Sequence, residues 1–187
     1  MTDLAIPPFG MDRYYYYRES LQIADLIEWR AETPLGWAIR QQTGMNVNHT
    51  SGVLLFRLVG DAEIRRYVDE ALSSGFHPRY LTSELSGYKG EVYLNRLKSK
   101  YNEYRIPIAK EACKLEGKAY AYKDLIMNIV KPRKFDPDAK EVRCSDAWHI
   151  ALYKSGFIQD KDFNNGNFLV PGQFAITGLY ESPVRIF

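Results

Sequence analysis

VRCSDAWHIALYKSG, residues Val142–Gly156, decides how this chain is read. Ala147, Trp148, Ala151 and Leu152 recur at the spacing of a helix with one buried stripe, and Cys144 lies on that stripe, one turn before Ala147 and Trp148. The spacing predicts a helix that opens at the cysteine. A sulfur in a first turn sits among backbone N–H groups that lack intrahelical partners, at the positive end of the helix dipole, and both favour thiolate over thiol. A packed, inert cysteine is the competing reading, because free Cys is among the most buried residue types.

An ordinary thiol, with a pKa near ~8.5, needs a base to hold its proton before it becomes a useful nucleophile at neutral pH. His149 follows Cys144 on the same helix at a spacing that turns it away, and His77 precedes Pro78 in a loop or strand end. His49, in Asn48-His49-Thr50-Ser51-Gly52, is the better candidate: it opens an apolar strand, and a side chain at a sheet's end can reach a docked helix terminus. Taken alone, a polar-loop His is more often an unremarkable surface residue than a catalytic one. A third group should orient the imidazole, and the neighbouring strand ends in Tyr67-Val68-Asp69-Glu70-Ala71. Strand alternation puts Asp69 and Glu70 on opposite faces, so only one of them can serve.

Outward from these residues, Ser51–Val59 is nearly continuous apolar, as a strand covered on both faces would be, and Gly60-Asp61 turns it into a second strand over Glu63–Ala71. Ile23–Trp29 and Gly90–Leu97 read as further strands. Pro34 suits the first turn of a helix to about Gln42, capped by Thr33 and stopped by Gly44. Asn102–Glu116 and Tyr122–Val130 are helical by spacing, separated by Gly117; Lys131–Lys140 is a loop with Pro132 and Pro137; Asp160–Asn167 is polar, and short elements around Pro171-Gly172 end the chain. Residues 1–21 form an N-terminal arm in which Tyr14–Tyr17 read as an edge strand. Cys113, in IAKEACKL, is assigned to core packing, and Trp148 to the core against the sheet. The expectation is one α+β domain over residues 1–187, a small antiparallel sheet packed against helices with the cysteine at a helix N-terminus.

A chain of 187 residues that is 45% hydrophobic and 14% aromatic can bury a core without a metal or disulfides. The net charge of +2, with Lys and Arg dispersed, argues against nucleic acid as a partner. Cys113 and Cys144 are the only cysteines, and no Cys or His recurs nearby at ligand spacing, so neither a zinc site nor a disulfide is expected. Reduced thiols and a start (MTDLAIPPFGMDRYYYY) without an export signal point to the cytoplasm. The longest aliphatic and aromatic run, Val53–Phe56, falls far short of the ~20 residues that span a bilayer.

The order of these motifs resembles a known family. Ile23–Trp29, His49 opening an apolar strand, Val68-Asp69-Glu70-Ala71, Gly117–Tyr120 (GKAY), and CSDAW leading an amphipathic helix to Gly156 are similar to the circularly permuted NlpC-type papain-like cysteine hydrolases. That branch includes YiiX-like hydrolases and lecithin retinol acyltransferases. In it the His and a polar third residue precede the Cys, the reverse of the usual papain order. The Pro171-Gly172 step is also similar to one near the permuted domain's end. Ser145-Asp146 stands where the family usually has Ser-Glu, and Thr50-Ser51 where an apolar residue often follows the His. The resemblance covers about residues 22–175 and implies a papain-like fold with Cys144 as nucleophile, His49 as general base and acid, and Glu70, rather than Asp69, as the orienting carboxylate. The implied activity is a cysteine peptidase or amidase working on peptides or acyl-amides through a thioester acyl-enzyme, without metal or cofactor. An acyltransferase or lipase of the same fold, and a non-catalytic binding module, are the alternatives.

Overall fold

The computed structural model describes residues 6–56, 64–121, 133–159 and 163–187. The turn at Gly60-Asp61 and the helix expected over Tyr122–Val130 lie outside the described residues. In chain order the elements are α1 (Gly10–Arg18), β1 (Leu26–Ala31), α2 (Pro34–Thr43), β2 (His49–Phe56), β3 (Arg65–Leu72), β4 (Gly75–Tyr80), α3 (Leu81–Leu85), β5 (Gly90–Asn95), a 3-10 turn (Ser99–Tyr104), α4 (Arg105–Cys113), β6 (Ala119–Tyr120), β7 (Glu141–Val142), α5 (Cys144–Lys154), a second 3-10 turn (Gln173–Ile176) and β8 (Val184–Arg185). Six strands form one antiparallel sheet in the order β4-β3-β2-β1-β5-β8, and β6 and β7 make a separate parallel pair. The architecture is α+β.

β2 runs through the middle of the sheet. Its neighbours Val53 and Leu54 point to opposite faces and are both buried, so the sheet is covered on both sides, as the continuous apolar run implies. On one side Leu26 packs with Ile108 and Ala112 of α4 and with Trp148, Ala151 and Leu152 of α5. On the other, Ile27, Trp29, Val53 and Val68 pack with Tyr14 of α1 and with Leu81 and Leu85 of α3. A buried ion pair joins the layers: the Arg105 guanidinium donates to Asp25 at 2.7 Å and also to the Ile23 and Leu97 carbonyls. These extra bonds supply what a buried charge pair needs to offset its desolvation.

α5 is seated on β2 by a close approach. The Trp148 indole lies against Gly52, where an added Cβ would stand 1.9 Å from Trp148 Cζ2, and its N–H donates to the Asp69 carbonyl at 3.1 Å. Only glycine lets the ring come this near. Gly52→Ala is expected to lower the unfolding free energy by roughly 1–3 kcal/mol through overpacking. Urea denaturation measures this, and an unchanged midpoint would mean that α5 is not seated through this contact.

α2 forms as its sequence predicts, with the Thr33 hydroxyl accepting from the Gly36 N–H and Gly44 ending it at φ 67°. The tyrosine run departs from expectation. Tyr14–Tyr17 belong to α1, not to an edge strand: a helix buries one ring of the four, Tyr14, whose hydroxyl meets Thr82 Oγ1 at 3.0 Å, and leaves Tyr15 and Tyr16 exposed. Arg13 fastens α1 to the chain's end through the Arg185 carbonyl at 2.6 Å. Tertiary anchoring outweighs the β-preference of the rings. His77-Pro78, which the sequence reads as a loop or strand end, lies within β4, and β4 is the edge of the sheet, where the N–H that proline lacks is tolerated. Asn102–Glu116 divides into the 3-10 turn and α4, with Pro107 in α4's first turn, where no N–H bond is lost. Gly90–Leu97 pairs only to Asn95, with Leu97 bridging Tyr180.

Candidate active site

The β2–β3 register brings His49 to Glu70. Gly52 lies opposite Asp69, so Ser51 comes opposite Glu70 and His49 occupies the diagonal position, within reach of long side chains. His49 Nε2 and Glu70 Oε2 are 2.7 Å apart, and Glu70 is buried. The Arg79 guanidinium stands 3.7 Å from the other oxygen of Glu70, which accepts no hydrogen bond. Asp69 leaves the strand on the opposite face and takes no part.

α5 delivers Cys144 to the same place. Cys144 and His49 line one cavity, close enough for the sulfur to act electrostatically on the ring. With Nε2 engaged by Glu70, Nδ1 is the ring nitrogen left for the thiol. The imidazole thus stands between a sulfur and a carboxylate. Burial pulls its pKa down, but the Cys144 sulfur and then Glu70 more than offset this and push it up to about 10. An ionised His49 at neutral pH is the counterion a thiolate requires.

Asp146 fixes the turn that carries Cys144. Fully buried, it accepts from the Arg143 backbone N–H at 3.1 Å, from the Arg143 side chain, and from Arg133 at 2.6 Å. A carboxylate at this helix position holds the entering chain and complements the dipole. The sequence signal for the role of Arg143 is its three-residue spacing to Asp146 at a helix start.

The other histidines are accounted for elsewhere. His149 Nδ1 accepts from the Leu169 N–H at 3.2 Å, its ring lies among Phe135, Phe163 and Phe168, and burial drives its pKa down to about 4. His77 Nε2 bonds the Ser74 carbonyl at 2.6 Å.

Cys144, His49 and Glu70 open onto a cavity of about 710 Å³ walled by Trp29, Leu35, Ile39, Tyr88, Phe168 and Pro171, with Arg133 and Arg143 among its polar groups. Trp29 is braced for this by donating to Ser51 Oγ at 2.8 Å. The Pro171 loop is held to the sheet where Glu28 Oε2 accepts from the Gly172 N–H at 3.2 Å and from Thr50 Oγ1 at 2.8 Å. No helix among the described residues is long and apolar enough to cross a membrane.

No family model matches this sequence, and no curated protein matches it. The fold is similar to the crystal structure of the metalloprotein YiiX from Escherichia coli O157:H7, with a TM-score of 0.61 over 89% of this chain and 97% of that one, at 15% identity. At that identity the likeness shows a shared YiiX-like fold.

Weakening the His49–Glu70 contact should report on the imidazole alone. Glu70→Gln keeps the shape but removes the charge that orients and stabilises an imidazolium, and any hydrolysis that depends on His49 is expected to fall by about 10²- to 10⁴-fold. Steady-state kinetics with far-ultraviolet circular dichroism as the fold control measures this; undiminished turnover would remove Glu70 from the site.

Proposed function

We propose that this chain is a cysteine peptidase or amidase of the permuted NlpC-type papain-like kind. The observation that carries the reading is the imidazole held between a buried carboxylate and a thiol at a helix N-terminus, facing a cavity of about 710 Å³. The likeness to YiiX supports the fold half of it.

In this mechanism the Cys144 thiolate adds to the carbonyl carbon of an amide, and the electron pair of the carbonyl moves to oxygen. The oxyanion meets backbone N–H groups at the start of α5, and each such preorganised donor is worth roughly 3–4 kcal/mol in the transition state. Collapse expels the amine, which takes its proton from His49, and leaves a thioester on Cys144. Neutral His49 then takes a proton from water as it attacks the thioester; collapse breaks the C–S bond, releases the carboxylic acid and the Cys144 thiolate, and the proton stays on His49, which restores the thiolate–imidazolium pair. Glu70 keeps the ring in place and favours its charged form throughout. The apolar walls suit an uncharged side chain or an acyl group next to the scissile bond, and a cytoplasmic peptide or acyl-amide fits the set.

YiiX is a metalloprotein, so a metal held by Cys144, His49 and Glu70 of this chain is the rival reading. The donor types of Cys144, His49 and Glu70 are suitable, but their donor atoms do not converge: His49 lies between the other two, and they do not form a cluster with all donor atoms within 4.8 Å. The fit is poor, and no step is assigned to a metal here. Assays of peptide amides against acyl esters, with and without a chelator, test the proposal: chelator-resistant amide hydrolysis supports it. Activity that vanishes with chelator and returns with zinc would replace it by the metal reading, and activity on acyl esters alone by the acyltransferase or lipase reading.

A further inference from the structure

Asp69 poses a problem that the proposed thiol chemistry does not solve. Its side chain is fully buried, and neither carboxylate oxygen has a hydrogen-bond partner. Buried carboxylates without partners are rare because desolvating the charge is expensive; those that persist are protonated or bind a cation. No ion pair with Asp69 occurs among the described residues.

The groups that do face Asp69 come from the end of α4. Cys113 Sγ and a carboxylate oxygen of Glu116 lie with an Asp69 oxygen in a cluster whose donor atoms are all within 4.8 Å of one another, the only such cluster of three among the described residues. Cys113 was expected to be a packed core residue; it is half-buried at the last residue of α4, and Glu116 beyond it is exposed. The cluster therefore grades from a buried oxygen through a half-buried sulfur to an oxygen open to solvent. An ion has a way in.

We propose that Asp69, Cys113 and Glu116 form a site for a zinc-class divalent cation, distinct from the Cys144 site, whose Glu70 leaves β3 on the opposite face. One thiolate and two carboxylate oxygens are ligands this class accepts, and a fourth position remains for water. A tetrahedral ion with ligand bonds of roughly 2.0–2.3 Å spaces its donors about 3.3–3.8 Å apart, so the side chains need close by only about 1–1.5 Å. The electrostatics point the same way. Burial first, and then Glu116 and Glu70, push Asp69 up to about 7, while burial, Asp69 and Glu116 push Cys113 up to about 11. This is a pocket short of positive charge. A bound cation would lower both values and release the thiol proton to solvent.

Binding of Co²⁺ tests the site, because thiolate ligation gives cobalt a charge-transfer absorption. The probe is added to the metal-stripped full chain carrying Cys144→Ala, which removes the other sulfur. The expected result is one equivalent bound with that absorption, displaced by Zn²⁺, and abolished by Cys113→Ser. Asp69→Asn should weaken binding by more than about 10-fold, the loss seen when even a supporting group of a metal site is removed. If Asp69→Asn does not fold, the exposed Glu116→Gln replaces it with the same expectation. No uptake by the Cys144→Ala chain, or an absorption that survives Cys113→Ser, overturns the proposal. The outcome is independent of whether Cys144 is a nucleophile.

Discussion

Cys144→Ala is expected to reduce amide hydrolysis by about 10⁴- to 10⁶-fold, down to what binding and preorganised donors supply without a nucleophile. The fold should survive, since Ala occupies less space than Cys at a helix start that Asp146 and two arginines already hold. Alkylation of the native protein sharpens the expectation. Cys113 is the more accessible of the two thiols, so accessibility alone predicts that iodoacetamide modifies it first. Ionisation predicts the reverse: Cys113 is pushed up to about 11 by burial and acidic neighbours, whereas Cys144 faces a charged imidazole. Peptide mapping after brief treatment near pH 6 should find the label on Cys144, with activity falling in step. Label confined to Cys113, or full activity in Cys144→Ala, would end the thiol-hydrolase reading.

The parts of this fold legible in sequence were those whose signals are local. Thr33, Pro34 and Gly44 mark both ends of α2 through capping and backbone conformation that involve only near neighbours. The apolar run of β2 and the alternating β3 identify a pair in which one register places His49 diagonal to Glu70 and sends Asp69 to the other face. Alternation could say that the two carboxylates part company, but not which faced the imidazole; the family resemblance favoured Glu70, and the geometry pairs Glu70 with His49. What stayed hidden depends on distant chain. The tyrosine helix is held by Thr82 and by the carbonyl of Arg185, more than 60 residues away in either case. β4 needed the knowledge that its strand is an edge, and β8 pairs with β5 across about 90 residues. The Asp69 cluster was hidden for the same reason: Cys113 and Glu116 reach it from α4, and nothing in their own spacing points to Asp69.

His49→Ala should change the pH dependence of Cys144 more than its maximum rate. Near pH 6 an ordinary thiol with a pKa near ~8.5 is only about 0.3% ionised. An imidazolium beside a thiol favours its reactive anion, and a thiolate so stabilised is a weaker nucleophile, which returns part of the gain. The net expectation is alkylation of wild type on the order of 10- to 100-fold faster than His49→Ala near pH 6, with the two rates converging as the pH rises past ~8.5. The sign of the stability effect follows from the same shift. His49 has a native pKa of about 10 against 6.5 for an unperturbed ring, so the native protein keeps a proton that the unfolded chain releases in that interval. Its contribution is complete below 6.5 and is lost as the pH rises through about 10. The unfolded thiol is itself ionised above ~8.5, so the decline shows most clearly in urea midpoints from there to about pH 10. His49→Ala should lack that decline. Parallel pH profiles for the two proteins, in alkylation and in unfolding alike, would mean that the ring and the sulfur do not act as a pair.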